Sequence, residues 1–142
     1  MIAITRKLEF DAGHRILGHE GKCRFLHGHR YSAEITVEAH ELDSVGRVID
    51  FGIIKTIVGK WIDENWDHNL LLNSKDPQRY HLETTEERLP YIMSCNPTAE
   101  NIARELFKMA VLLLPSHLQV VQVRIWETPN CYADYRGKDD CN

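Results

Sequence analysis

The chain predicts an α+β domain: a four-stranded antiparallel sheet with two helices packed on one face, in the order ββααββ. Two long segments near the front alternate apolar and polar residues with period two, as half-buried strands do. Two segments in the middle repeat with the helical period and carry helix-start signals. Two shorter alternating segments follow, separated by the turn residues Pro129-Asn130.

The first strand is expected over Ile2–His14. Its even positions are Ile2, Ile4, Arg6, Leu8, Phe10, Ala12 and His14, so one face is apolar apart from Arg6 and ends in a histidine. After a loop holding Gly18 and Gly21, the second strand runs from His27 to about His40. Its odd positions are His27, His29, Tyr31, Ala33, Ile35, Val37 and Ala39, against Arg30, Ser32, Glu34, Thr36 and Glu38 on the other face. If the two strands pair antiparallel, His14, His27 and His29 meet at one edge of one buried face.

Asp50 can cap a helix reaching about Trp66, with Phe51, Ile54, Ile57, Val58, Trp61 and Ile62 on one stripe. Residues 73–95 are polar and irregular, a candidate active-site excursion. Asn96-Pro97 reads as the start of the second helix, with proline at its first position. That helix should bury Ala99, Ile102, Ala103, Leu106, Phe107, Ala110 and Leu113 and stop at Pro115. In the third strand, about 118–127, Val121, Val123, Ile125 and Glu127 share a face. The fourth strand is 131–135.

Length and composition suit one domain over residues 1–142, with 43% apolar and 27% charged residues. The net charge of -4, with no basic face or tail, gives no footprint for nucleic acid or an anionic membrane. The first residues lack the layout of a signal peptide, and the longest apolar run, 110–114, is far short of a membrane span. Cys23, Cys95, Cys131 and Cys141 form no CxxC pair and read as free thiols in a reducing cytoplasm, with Cys141 an exposed bystander.

Any single histidine is best read as an ordinary core or surface residue, and His19, His40, His81 and His117 are read so. Three on one strand edge are different. Neutral imidazoles suit zinc in a redox-silent role, ahead of copper, nickel or iron. Cys23 can be a fourth ligand closing a structural site, a small buried hydrophobe, or a base whose pKa the metal lowers. A structural zinc would add little to a domain of this size, but spacing leaves ligand and base both open.

Asp67-His68 at a helix end can be a carboxylate-oriented general acid or base, or a helix C-terminus with a dipole-favourable histidine. Glu127, ending an apolar row, needs a partner. That partner can be Arg124 or Arg136, or a ligand with two adjacent N–H donors such as a 2-amino-4-oxo pterin or a guanine ring. Glu100 is comfortable in the first turn of its helix.

Taken in order, these pieces resemble the 6-pyruvoyl-tetrahydropterin synthase and 6-carboxytetrahydropterin synthase family. They are Phe10-Asp11-Ala12-Gly13-His14, Cys23-x-x-x-His27-Gly28-His29, Asp50-Phe51, Trp66-Asp67-His68-Asn69, Pro97-Thr98-Ala99-Glu100-Asn101 and Trp126-Glu127-Thr128-Pro129-Asn130. Each is weak alone; the ordered set, spread over nearly the whole chain, is specific. Residues 73–95 are the least family-like part.

The resemblance implies a tunnelling fold, with sheets of several subunits joined into a barrel. It implies homohexamers of two trimers, with active sites between subunits. It makes His14, His27 and His29 zinc ligands and Cys23 the catalytic base. It makes Asp67 and His68 a proton-transfer pair and Glu127 the pterin anchor, with Thr98 and Glu100 in the segment lining the pterin pocket. The implied reaction converts 7,8-dihydroneopterin triphosphate to 6-carboxytetrahydropterin, acetaldehyde and triphosphate for queuosine and other deazapurines. Rivals are a 6-pyruvoyltetrahydropterin synthase of biopterin synthesis and a zinc-stabilised pterin-binding protein without turnover. Arg15, Lys22, Arg24 and Arg30 are the basic residues closest in sequence for the triphosphate.

Overall fold

The two front strands form as their alternation requires. In the computed structural model, which describes residues 1–85 and 88–138, β1 (Ile2–His14) and β2 (His27–Ala39) pair antiparallel without interruption. Cys141 lies outside the described residues. Phe10 faces Tyr31, Leu8 faces Ala33, and all four side chains are buried. The same register sets His14 opposite His27 and Ala12 opposite His29. Three imidazoles therefore share one end of the buried face, because period-two strands in fixed register carry every alternate residue to one side.

Among the described residues the sheet has six strands, not four, and is mixed rather than antiparallel. Its order is β4-β3-β1-β2-β5-β6. The two unexpected strands, β3 (Asn69–Asn73) and β4 (Tyr91–Met93), pair in parallel, β3 with β1 and β4 with β3. β3 carries Leu70-Leu71-Leu72, an unbroken apolar run with no alternation to reveal it, and β4 is only three residues long. Residues 73–95 are thus not an irregular excursion. They hold the crossover helix that parallel pairing requires, α3 (Gln78–Thr85).

Asp50 caps the first helix as expected, accepting the Gly52 N–H at 2.7 Å. That helix runs through α1 (Phe51–Ile54), a π-helical stretch (Lys55–Gly59) and α2 (Lys60–Asn65), with right-handed helical backbone at each junction. Ile54, Val58, Ile62 and Trp66 are its buried row, spaced four apart, while Phe51 is exposed. The wider π turns keep a spacing of four aligned where 3.6 residues per turn would drift.

In α4 (Ala99–Leu113) the cap is Thr98, whose hydroxyl accepts the Asn101 N–H at 3.2 Å. Pro97 precedes the cap instead of opening the helix. Leu114 turns inward after the last turn and Leu113 stays exposed, the reverse of the expected burial.

β5 (Gln119–Thr128) pairs antiparallel with β2, and β6 (Cys131–Tyr135) with β5. Thr36 faces Gln122 but Val37 faces Val120, so Val121 is bulged out and Val120 takes the core position. Past the bulge, Val123 and Ile125 are buried, and Glu127, at a second irregularity between Trp126 and Thr128, lies on the side of His14 and His29.

The helices α1, α2 and α4 cover one face of the sheet. The other face carries a polar ladder: Thr5 with Thr36, Arg30 with Glu9 and Asp11, the Trp126 indole N–H with Glu34, and Arg124 with Asp134. Among the described residues, no helix is long and apolar enough to cross a membrane.

Candidate metal centre and active site

The three imidazoles converge. One ligand nitrogen from each of His14, His27 and His29 lies within 4.8 Å of the others. His14 donates from Nδ1 to the Pro97 carbonyl, and His27 from Nδ1 to the Phe25 carbonyl, each at 2.7 Å. A proton held on Nδ1 leaves Nε2 with a free lone pair. The Nε2 atoms of His14 and His27 are 3.1 Å apart, and His29 Nε2 is buried with no hydrogen-bond partner among the described residues. Lone pairs this close repel unless a cation lies between them. The donor set, three imidazole nitrogens with their second nitrogens tied to carbonyls, fits zinc with a fourth position available.

The electrostatics agree. Burial drives the His14 pKa down to about 4 against the support of the Pro97 carbonyl, and repulsion from His27 and His29 lowers it further. Burial also lowers His29, although the Glu127 carboxylate opposes it. Neutral imidazole is the metal-binding form. The Tyr31 hydroxyl, 3.2 Å from His14 Nδ1, closes the floor of the cluster. Burial, aided by the nearby Glu127 carboxylate, keeps its phenol protonated far above neutrality.

Glu127 faces the same point. Its Oε1 is 3.6 Å from His14 Nε2 and 3.7 Å from His29 Nε2. Neither arginine named as an alternative partner reaches it: Arg124 and Arg136 both pair with Asp134. Cys23 sits on a short 3-10 turn (Lys22–Arg24) and is half-buried. Its sulfur is outside the group of mutually close ligand atoms.

Asp67 and His68 pair at 2.9 Å but join a different group. Their close neighbour is Asp11, and these three form a second cluster apart from the imidazoles. Asp67 accepts the Asp11 N–H at 2.9 Å, and His68 returns its own N–H to the Asp11 carbonyl at 2.6 Å with a left-handed φ of 56°. Burial raises the Asp67 pKa, but the Asp11 N–H, His68 and Arg30 together bring it below the usual carboxylate value. His68 is 75% exposed. The pair is fixed in place with the His68 ring open to solvent.

Two hollows flank His29. One, of about 520 Å³, is bordered by Asp11, Gly28, Arg30, His68 and Arg88; the other, about 570 Å³, by Lys7, Ser32, Trp126, Glu127 and Thr128. A hollow of about 590 Å³ lies at the other end of the strands, beside His40 and Val48, and has no part in this cluster.

The Thr98 hydroxyl is engaged in capping α4, and Glu100 is exposed on its first turn. Their segment meets the cluster through the Pro97 carbonyl. Of the basic residues near in sequence, Arg15 is held by buried Asp76, and Arg30 by Glu9 and Asp11. Lys22 and Arg24 are exposed on either side of Cys23. Tyr31 was missed, although it continues the alternating row of His27 and His29. The carbonyls of Pro97 and Phe25 have no sequence signal.

A family model described as 6-pyruvoyl tetrahydropterin synthase matches residues 3–138. The chain belongs to this family. Within the 6-pyruvoyl tetrahydropterin synthase family it is 47% identical over 137 residues to a Rickettsia felis protein named 6-carboxy-5,6,7,8-tetrahydropterin synthase, covering 94% of this chain and 99% of that one. A Haemophilus influenzae protein of the same name is 31% identical over 142 residues, covering 96% and 99%. Among solved structures, the Caenorhabditis elegans 6-pyruvoyl tetrahydropterin synthase superposes with a TM-score of 0.69 at 24% identity, over 96% of each chain. An uncharacterized Wolinella succinogenes protein gives 0.83 at 23%, over 96% of this chain and 98% of that one. These structural likenesses bear on the fold. They place the chain with the tunnelling-fold members of the family, as a curled mixed sheet with helices.

Proposed function

We propose that this chain is a 6-carboxy-5,6,7,8-tetrahydropterin synthase of queuosine biosynthesis, formed by residues 1–142 as one domain. It converts 7,8-dihydroneopterin triphosphate and one water to 6-carboxytetrahydropterin, acetaldehyde and triphosphate. The observation that carries this choice is the 47% identity, end to end, to a relative of that name. The enzyme is a zinc-dependent lyase of the cytoplasm.

His14, His27 and His29 hold the metal through their Nε2 atoms. Zinc there supplies Lewis-acid polarisation of the substrate's side-chain hydroxyls. Cys23 removes the proton from the side-chain carbon next to the ring. Asp67 fixes the ring of His68, which returns protons as the triphosphate leaves and the side chain is cleaved. Glu127 accepts the two N–H groups of the pterin edge, so that proton removal occurs in one geometry. Thr98 and Glu100 border the ring. Asp67 and His68 form a group of their own with Asp11, and His68 is largely exposed; in this reading they serve the site of a neighbouring copy in a hexamer of two trimers.

The test is incubation of zinc-loaded protein with dihydroneopterin triphosphate and identification of products by mass. 6-Carboxytetrahydropterin with acetaldehyde is expected. A 6-pyruvoyl product would assign the chain to biopterin chemistry, and absence of turnover would leave a binding protein. Glu127→Ala should weaken pterin binding roughly 10- to 100-fold, the loss expected for charge-assisted hydrogen bonds. It should retain one zinc per chain, read by metal analysis. Lost zinc would make Glu127 a ligand, and unchanged pterin affinity would remove the anchor role.

A further inference from the structure

The connection that carries Cys23 is held by hydrogen bonds rather than by packing. No residue from 15 to 26 is buried, and Phe25 and Leu26 face solvent. Inside the connection, the Ile16 N–H donates to the Cys23 carbonyl at 2.8 Å. On either side of Ile16, the chain is tied to the body of the protein. Arg15 makes a bidentate pair with buried Asp76. Leu17 is gripped through its backbone: its N–H donates to Asn96 Oδ1 at 3.1 Å, and its carbonyl accepts from Asn96 Nδ2 at 2.8 Å.

We propose that Asn96 is a positioning residue for the Cys23 thiol, acting through the Leu17 backbone it clamps and the adjacent Ile16–Cys23 hydrogen bond. The inference rests on the reading of Cys23 as the base. A carboxamide presents one donor edge and one acceptor edge, the match for a peptide unit. Asn96 is itself fixed. Asn73 Nδ2 donates to its Oδ1 at 3.0 Å, and its own carbonyl accepts from the Thr98 N–H and from Asn101 Nδ2, each at 2.9 Å. The next residue, Pro97, holds His14. One dipeptide therefore sets both the imidazole that binds metal and the loop that carries the thiol. Their separation follows from a single rigid piece at the start of α4. A base must lie within reach of its proton, and small misplacements are costly.

The test uses Asn96→Ala, which removes the clamp, and Asn96→Asp, which keeps size and acceptor but sets a carboxylate against the Leu17 carbonyl. In zinc-loaded protein, kcat should fall roughly 10- to 100-fold for Asn96→Ala, with KM within about threefold and zinc still one per chain. Asn96→Asp should also lose kcat, and amide exchange across residues 15–24 should accelerate in both. Unchanged kcat in folded, zinc-loaded Asn96→Ala would overturn the proposal, as would a loss of kcat that merely follows loss of zinc. The unmodified protein gives a reading that needs no variant: the Leu17 amide should be the most protected between 15 and 26, and rapid exchange there would also overturn it. Cys23→Ala separates the two ideas. If it keeps turnover, the base reading fails while the exchange measurements still judge the clamp.

Discussion

Cys23→Ala should remove turnover by roughly 100- to 10,000-fold, the contribution of a positioned general base, while zinc stays at one per chain. The expectation follows from geometry. Three imidazole nitrogens already form a mutually close set, and the Cys23 sulfur is not a member of it. Each ring is oriented without the thiol: His14 by the Pro97 carbonyl, His27 by the Phe25 carbonyl, and His29 by burial beside Glu127. Removing the sulfur therefore leaves the three imidazoles and their supports in place. Cys23→Ser should be nearly as inactive, because an alcohol is a far weaker base than a thiolate near neutral pH. Loss of zinc along with the thiol would mean a closed, structural Cys-His site.

Arg15→Ala should cost about 3 kcal/mol of stability at pH 7, the low end for breaking a buried pair. Asp76 is fully buried, and without the guanidinium its carboxylate keeps, among the described residues, the Gln78 N–H alone, at 2.9 Å. In the native protein burial pushes the Asp76 carboxyl up, but Arg15 and that N–H more than offset it and hold it below the usual carboxylate range. A depressed folded pKa means that this stabilisation is complete above the unfolded value near 4 and is lost as pH falls through the folded one. In Arg15→Ala the sign reverses. The unpaired carboxyl is raised, so its penalty is full at neutral pH and shrinks as the group protonates on approach to pH 4. Urea unfolding at pH 7 and pH 4, at one protein concentration because assembly contributes, reads the difference. An equal penalty at both values would contradict it. Arg15 was a candidate for the triphosphate; its engagement with Asp76 assigns it instead to holding the strand end that carries His14.

What could be read from the chain was set by periodicity. β1 and β2 alternate over 13 residues each, so both their extent and the meeting of His14, His27 and His29 were legible. Asp50 and its helix were legible from cap and stripe. β3 escaped because Leu70-Leu71-Leu72 is apolar on both faces, and β4 because three residues hold no period. Val121 was misplaced because a bulge shifts the alternation by one, which nothing local signals. In the site, side chains with distinctive chemistry could be found, and Glu127 ends the row where it was expected. The supports could not. The carbonyls of Pro97 and Phe25 and the grip of Asn96 on Leu17 depend on backbone positions brought together by the fold. The separation of Asp67-His68 from the imidazoles likewise follows from β3 pairing with β1, which the sequence pattern concealed.

The most direct measurement is zinc X-ray absorption on the loaded native protein. Three imidazole nitrogens with a light fourth ligand, all at about 2.0–2.1 Å, are expected, with a spectrum unchanged in Cys23→Ala. A sulfur shell at about 2.3 Å would contradict an open three-histidine centre with a separate reactive thiol.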